Sequence, residues 1–209
     1  MSSGFASFVD WHGEVDGCEL AGYRVGLSAG LGMALADLDD TELVGAARGG
    51  FAAVPAERVR DGATVVEHRT AAAEGVAIVD VRLPAGLARL RHAGGRTEVI
   101  GLRLAAVRIG LVRKVLDLAL ARPTRPSPVR CRLELRAVGD VVSALESLRH
   151  RLVGMTRYPS RADVAAVHTR LTELDWQVAR LFWPDGYRPD HPVRVLFVAE
   201  LAARTWVGT

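Results

Sequence analysis

Lysine is almost missing from this chain. Lys114 is the only one among 27 basic residues, and the rest are arginines spread from Arg24 to Arg204 with acids between them. Set against 24 acidic residues they leave a formal charge of +3, with no continuous basic stripe to grip a phosphate backbone, which argues against a nucleic-acid partner. Cysteine is scarce as well. Cys18 and Cys131 lie far apart without CxxC or Cys/His spacing, which excludes a disulfide framework and a structural zinc site and makes a reducing cytoplasm the expected compartment. No apolar run approaches the ~18 residues that span a bilayer. Met1 to Asp10 lacks the basic region and apolar run of a secretion signal, so neither export nor membrane insertion is expected.

What remains is an ordinary globular composition: 209 residues, 49% hydrophobic and 24% charged. Disorder and collagen-like architectures are excluded, and a chain of this length buries a core without metal or disulfide staples.

The pattern changes in mid-chain. From about Gly13 to Leu90, glycine and short alternating or β-branched runs dominate, as at Phe51 to Val54, Ala63 to Val66 and Val76 to Val81, and these predict strands. Turn signals at Asp16-Gly17, Gly49-Gly50, Asp61-Gly62 and Gly94-Gly95 suit antiparallel meanders, so a small β-barrel or sandwich is expected over residues 1–95. From Thr97 onward the period becomes helical. Val99, Leu102, Ala106, Ile109, Val112, Val115, Leu116 and Leu120 predict a long amphipathic helix ending before Pro123. Pro128 suits the first position of a second helix reaching about Val153, with Leu133, Leu135, Val138, Val141, Val142, Leu145, Leu148 and Leu152 inward. Ser160 and Asp163 form a capping-box-like start for a third, to about Phe182, and a fourth runs from Pro192 toward Trp206. The expected fold class is α+β: the β domain, then an antiparallel four-helix bundle over residues 96–209.

Motif-level chemistry is thin. Gly26, Gly30 and Gly32 do not have a phosphate-loop spacing and read as a turn. His12, His68, His92, His150, His168 and His191 occur singly, which argues against a metal site and for surface or hydrogen-bonded core histidines. Ser28 and Ser143 lack a nucleophile-elbow context. Trp176, Trp183 and Trp206 read as helix-packing core.

The order of segments, and several strings within them, resemble the acyl-CoA dehydrogenase family. Gly186-Tyr187, Pro192-Val193 and Trp206 to Thr209 fall, without a gap, where that family has a Gly-Tyr, a Pro-Val and a final Tyr-Glu-Gly-Thr. Leu104 to Leu120 is similar to the family's first C-terminal-domain helix. Gly22 to Gly30, followed by Ala36-Asp37, resembles its flavin-contacting strand, and Val76 to Pro84 its last β-domain strand. The resemblance covers nearly the whole chain in order but lacks the family's N-terminal helical domain. It implies FAD as cofactor, with Ser28, Gly208 and Thr209 at cofactor-binding positions, and an acyl-CoA or acyl-carrier thioester as substrate.

The departures carry as much information. The family's two general-base positions are occupied by Val207 and by a site near Ile100, and neither side chain accepts a proton. Trp183-Pro184 replaces a glycine pair beside the pyrophosphate, Gly26 replaces the flavin-stacking tryptophan, and Pro123 to Val129 has no Arg-x-x-Phe-Gly segment. Family members assemble through the helical domain, some as heteromers in which one type of chain holds FAD and the base. The resemblance therefore implies a truncated, non-catalytic partner of a full-length acyl-CoA dehydrogenase, with uncovered apolar surface and poor solubility alone. The alternatives are an independent flavin-dependent monooxygenase on the same scaffold and a flavin-free binding module.

Overall fold

The computed structural model describes residues 11–82, 96–121, 128–155, 159–182, 188 and 191–208. These form an α+β fold with eight α-helices and a three-stranded antiparallel sheet.

The first helix, α1 (Trp11–Arg24), ends at Gly26, whose φ of 139° only glycine adopts comfortably, and α2 (Leu27–Ala34) starts directly after it. Next comes α3 (Asp40–Ala46), where the Asp39 carboxylate accepts from the Glu42 amide and the Glu42 side chain accepts from the Asp39 amide. The strands β1 (Phe51–Pro55), β2 (Val65–Val66) and β3 (Val76–Asp80) lie in the order β1-β3-β2, and the short α4 (Arg69–Ala73) leads into β3. Register places Ala53 opposite Ile78 and Val66 opposite Ile78 on the other side.

The strands fall on the three runs predicted for them, and Gly49, Gly50 and Gly62 take the positive φ of their predicted turns. The stretch before residue 47 is a correction. It is helical from Trp11 on, so Gly22 to Gly30 is no strand, and the described strands form one three-stranded sheet. Gly22 of α1 and Gly110, in the helix over residues 96–120, have a packing role. A Cβ on Gly22 would stand 2.5 Å from the Val107 carbonyl oxygen, and one on Gly110 would stand 2.8 Å from the Tyr23 amide nitrogen. Glycine at both positions lets two helix backbones meet.

The second half contains α5 (Arg96–Leu120), α6 (Pro128–Met155), α7 (Arg161–Leu181) and α8 (Arg194–Val207), close to the predicted spans. Pro128 opens α6, and Ser160 Oγ accepts from the Asp163 amide at 3.1 Å to cap α7. The expectation of an amphipathic α5 is corrected. Every residue from Gly101 to Val112 is buried, because α1 and α2 cover the side that α6, α7 and α8 leave open. Conversely Leu120, Leu135 and Val142, expected inward, are exposed. Leu133 belongs to α6, but its side chain lies outside the description.

One continuous apolar cluster runs from Leu31 and Leu35 through Ile109 and Leu111 to Leu171, Leu196 and Trp206. The boundary placed at 95/96 abuts residues outside the described ones. Arg103, on α5, ties the N-terminal helices down by bonding Glu14 and Asp37, each at 2.6 Å. At the far side α8 covers the free edge of β1: Trp206 Nε1 donates to the Ala53 carbonyl and the Ala53 amide donates to Thr205 Oγ1, both at 3.0 Å. Side chains thereby take up strand groups that would otherwise form an open edge.

Candidate functional site

Of the residues singled out as flavin-binding, Ser28 and Gly208 are described and stand in separate surroundings. Ser28 sits on α2, its hydroxyl 3.4 Å from the Glu57 carboxylate and packed near Gly75. An anionic carboxylate on that hydroxyl repels a phosphate. Gly208 is the left-handed C-cap of α8 (φ 68°), and a Cβ there would meet the Arg48 side chain at 3.2 Å. Ser28 therefore neighbours Gly75 and Glu57 while Gly208 neighbours Arg48, and these described residues do not fit FAD. Thr209, Trp183-Pro184, Gly186-Tyr187 and Pro123 to Ser127 lie outside the described residues.

Both general-base positions are sealed. Ile100 is 1% exposed and Val207 5%. They flank Gly101, where a Cβ would stand 2.5 Å from Val164 and 3.4 Å from a Val207 methyl. Hydrocarbon from α5, α7 and α8 packs around Gly101, so the side chains of Ile100 and Val207 offer a thioester neither a carboxylate nor space.

The chemistry that is buried lies one to two turns further along α5. The guanidinium of Arg108 reaches across to α7, where Nη1 lies 3.1 Å from His168 Nδ1 and Nη2 donates to Thr172 Oγ1 at 3.0 Å and to Asp175 Oδ2 at 2.6 Å. His168 Nε2 lies 2.9 Å from the Gly101 carbonyl oxygen, which makes Nε2 the protonated nitrogen and Nδ1 the acceptor from Arg108. Burial and the neighbouring guanidinium lower the His168 pKa to about 3. Burial raises that of Asp175 to about 7 against the pull of Arg108. Two atoms in this centre, Arg108 Nε and Asp175 Oδ1, have no protein partner. With Arg108, His168 and Asp175 each at most 3% exposed, the arrangement fixes α7 on α5.

A second polar assembly fills an open groove of about 550 Å³ between α1, α5 and α6. Glu19 binds both Arg113 and Arg149, Arg113 also reaches Glu146, and Arg149 reaches Asp16 at 2.7 Å. Tyr23 donates to Asp117 at 2.6 Å, a bond that holds its phenol above the ordinary pKa. Every arginine here is paired with a carboxylate, and the phenol is held by Asp117 rather than activated.

Of the features read from sequence, His168 is the hydrogen-bonded core histidine and Trp206 the core tryptophan that were expected, whereas Trp176 is 46% exposed against Phe197. The sequence reading missed Arg103, Arg108 and Asp175. The available signal was the i, i+4, i+7 run of His168, Thr172 and Asp175, interleaved with buried Leu171 and Leu174.

The chain matches no family model and no curated protein sequence. No described helix is long and apolar enough to cross a membrane, and among the described residues no group of three His, Cys, Asp or Glu side chains could hold a metal ion.

Proposed function

We propose that the chain is a flavin-free, non-catalytic subunit that completes an oligomer with a full-length, FAD-dependent acyl-CoA dehydrogenase. The partner chain supplies the flavin and the base for α,β-desaturation of an acyl-CoA or acyl-carrier thioester. The observation that carries this reading is the sealing of Ile100 and Val207 around Gly101. Abstraction of an α-proton needs a carboxylate within hydrogen-bond reach, and an apolar, filled core removes both the group and the space. The poor fit of Ser28 and Gly208 to FAD supports the same reading.

A need for a partner is supported by the C-terminal ends of α1 and α5, which lie side by side through the Tyr23–Asp117 bond and Lys114 Nζ donating to the Val25 carbonyl at 3.2 Å. Leu20, Tyr23, Val25, Leu118 and Leu120 are all exposed there, an apolar concentration typical of an interface.

Expression with and without the full-length dehydrogenase encoded nearest to it tests this reading, using light scattering for mass and flavin absorbance per chain. The expected result is a colourless chain alone and a larger yellow complex with the partner. A yellow homo-oligomer whose flavin is reduced by an acyl-CoA overturns it.

A further inference from the structure

Between α3 and the sheet lies a pocket of about 320 Å³, walled by Leu43 and Val44 of α3, Ala52 and Val54 of β1, Val79 of β3, and Val59. The volume is at the small end for ligand sites and matches a single short hydrocarbon chain rather than a peptide segment. The strand walls present no free hydrogen-bonding groups across the ladder, since Ala52 and Val54 stand opposite Val79 and Ala77 in the β1–β3 register. A polar ligand body finds nothing to bind inside.

The mouth is different. Three guanidinium groups, from Arg58, Arg60 and Arg82, line it against the two carboxylates of Asp40 and Asp80. Arg58 is fixed, with Nη1 donating to the Leu35 carbonyl at 2.6 Å and Nη2 to that of Leu38. Arg60 and Arg82 extend toward solvent. Arg60 is 78% exposed and holds Asp40 at 2.6 Å, while Arg82 is 68% exposed, pairs with Asp80 and lies over the Phe51 ring. An exposed arginine–aspartate pair such as Arg60–Asp40 contributes little, so an incoming anion can exchange with Asp40 at small cost. The surplus guanidinium gives the mouth a net positive charge that complements a single negative head.

We infer that the pocket between α3 and the sheet binds a medium-chain carboxylate, its alkyl chain against Val44, Val54 and Val79 and its carboxylate on Arg60 or Arg82. This does not depend on any dehydrogenase partner. Neutral amphiphiles lack the head contact, and short acids lack the chain.

Calorimetric titration of the full chain with octanoate, octanol and acetate tests the inference. Octanoate is expected to bind at least tenfold tighter than either of the others and to weaken in 0.5 M salt. The double variant Arg60→Gln/Arg82→Gln, at exposed positions that leave the core intact, is expected to reduce octanoate to the affinity of octanol without changing octanol itself. Val44→Phe, which narrows the cavity from the half-buried side of α3, is expected to weaken both. Absence of octanoate binding to the unmodified chain overturns the inference. So does equal binding of octanoate and octanol, or full octanoate affinity in the folded double-arginine variant.

Discussion

Arg108 on α5 and Asp175 on α7 meet at 2.6 Å with side chains only 3% and 2% exposed, in the middle of the helical layer. Such a pair adds little net stability when intact, because desolvating two charges offsets their attraction, yet removing one partner strands the other. At pH 8, Asp175→Ala is expected to lower the free energy of unfolding by about 3–5 kcal/mol. The double replacement Arg108→Met/Asp175→Leu, which leaves no charge behind, is expected to recover most of that loss. Urea denaturation of the three proteins measures both, and a double variant as unstable as Asp175→Ala contradicts the account.

The same centre controls the pH dependence through two opposed groups. The His168 pKa falls from 6.5 to about 3 on folding, so the unfolded chain takes up a proton there that the folded chain refuses. Stability from this group is complete above 6.5 and is lost as pH falls toward 3. Asp175, raised from 3.8 to about 7, holds a proton in the fold that the unfolded chain releases, so its contribution is present below 3.8 and lost as pH rises through 7. Between these limits the slopes oppose. In Asp175→Asn, stability is expected to climb from pH 4.5 to 6.5 by up to roughly 1.4 kcal/mol per unit, the value for one proton. In His168→Gln it is expected to fall over the same interval, with the unmodified chain flatter than either. Urea midpoints at three pH values read this directly, and parallel profiles for all three proteins refute it.

How much of this was legible depended on how local each signal is. The spans of α5 to α8 follow from apolar periodicity, and their starts from single residues: Pro128 opens α6 and Ser160 caps α7. The strands followed from β-branched runs and flanking glycines. The helical character of α1 is hidden, because Asp16-Gly17 reads as a turn and Gly22 to Gly30 resembles a strand, whereas glycine at position 22 makes room for a carbonyl of Val107 that only the tertiary structure brings near. For the same reason α5 read as amphipathic. Arg103 and Arg108 look like solvent-facing charges until α1 and α7 are placed beside them, carrying Glu14 and Asp175 from distant parts of the chain. Ser28 and Gly208 were chosen by local strings, and strings do not say that Glu57 and Arg48 occupy the adjoining space.

The close approach of α1 to α5 yields a contrast between two helical glycines. At Gly110 a Cβ would press on the Tyr23 amide and the Glu19 carbonyl, both backbone groups that cannot swing away. Gly110→Ala is expected to destabilise by about 1–3 kcal/mol through overpacking, despite alanine's better helix propensity. At Gly139 on α6 nothing lies within 4 Å of the added carbon. Gly139→Ala is therefore expected to stabilise by about 1 kcal/mol, the propensity gain alone. Thermal unfolding of the pair checks the signs, and a stabilising Gly110→Ala removes the case for backbone contact between the two helices.

Restoring a carboxylate at the position of the lost base separates a missing group from a missing site. Val207 lies at the last turn of α8, 5% exposed, with a methyl toward Gly101. If only the carboxylate were absent, Val207→Glu would be tolerated as an exchange at the wall of a cavity. Packed as it is, the substitution buries a longer, charged side chain among the hydrocarbon of Ile100, Gly101 and Val164. The expected outcome is a loss of about 3 kcal/mol or more in unfolding free energy, or a carboxyl that stays protonated well above its ordinary range. No turnover of an acyl thioester is expected from the variant alone with added FAD. Urea denaturation with a dye-coupled dehydrogenase assay reads both sides, and a stable, active Val207→Glu protein means that α5, α7 and α8 enclose an acyl site after all.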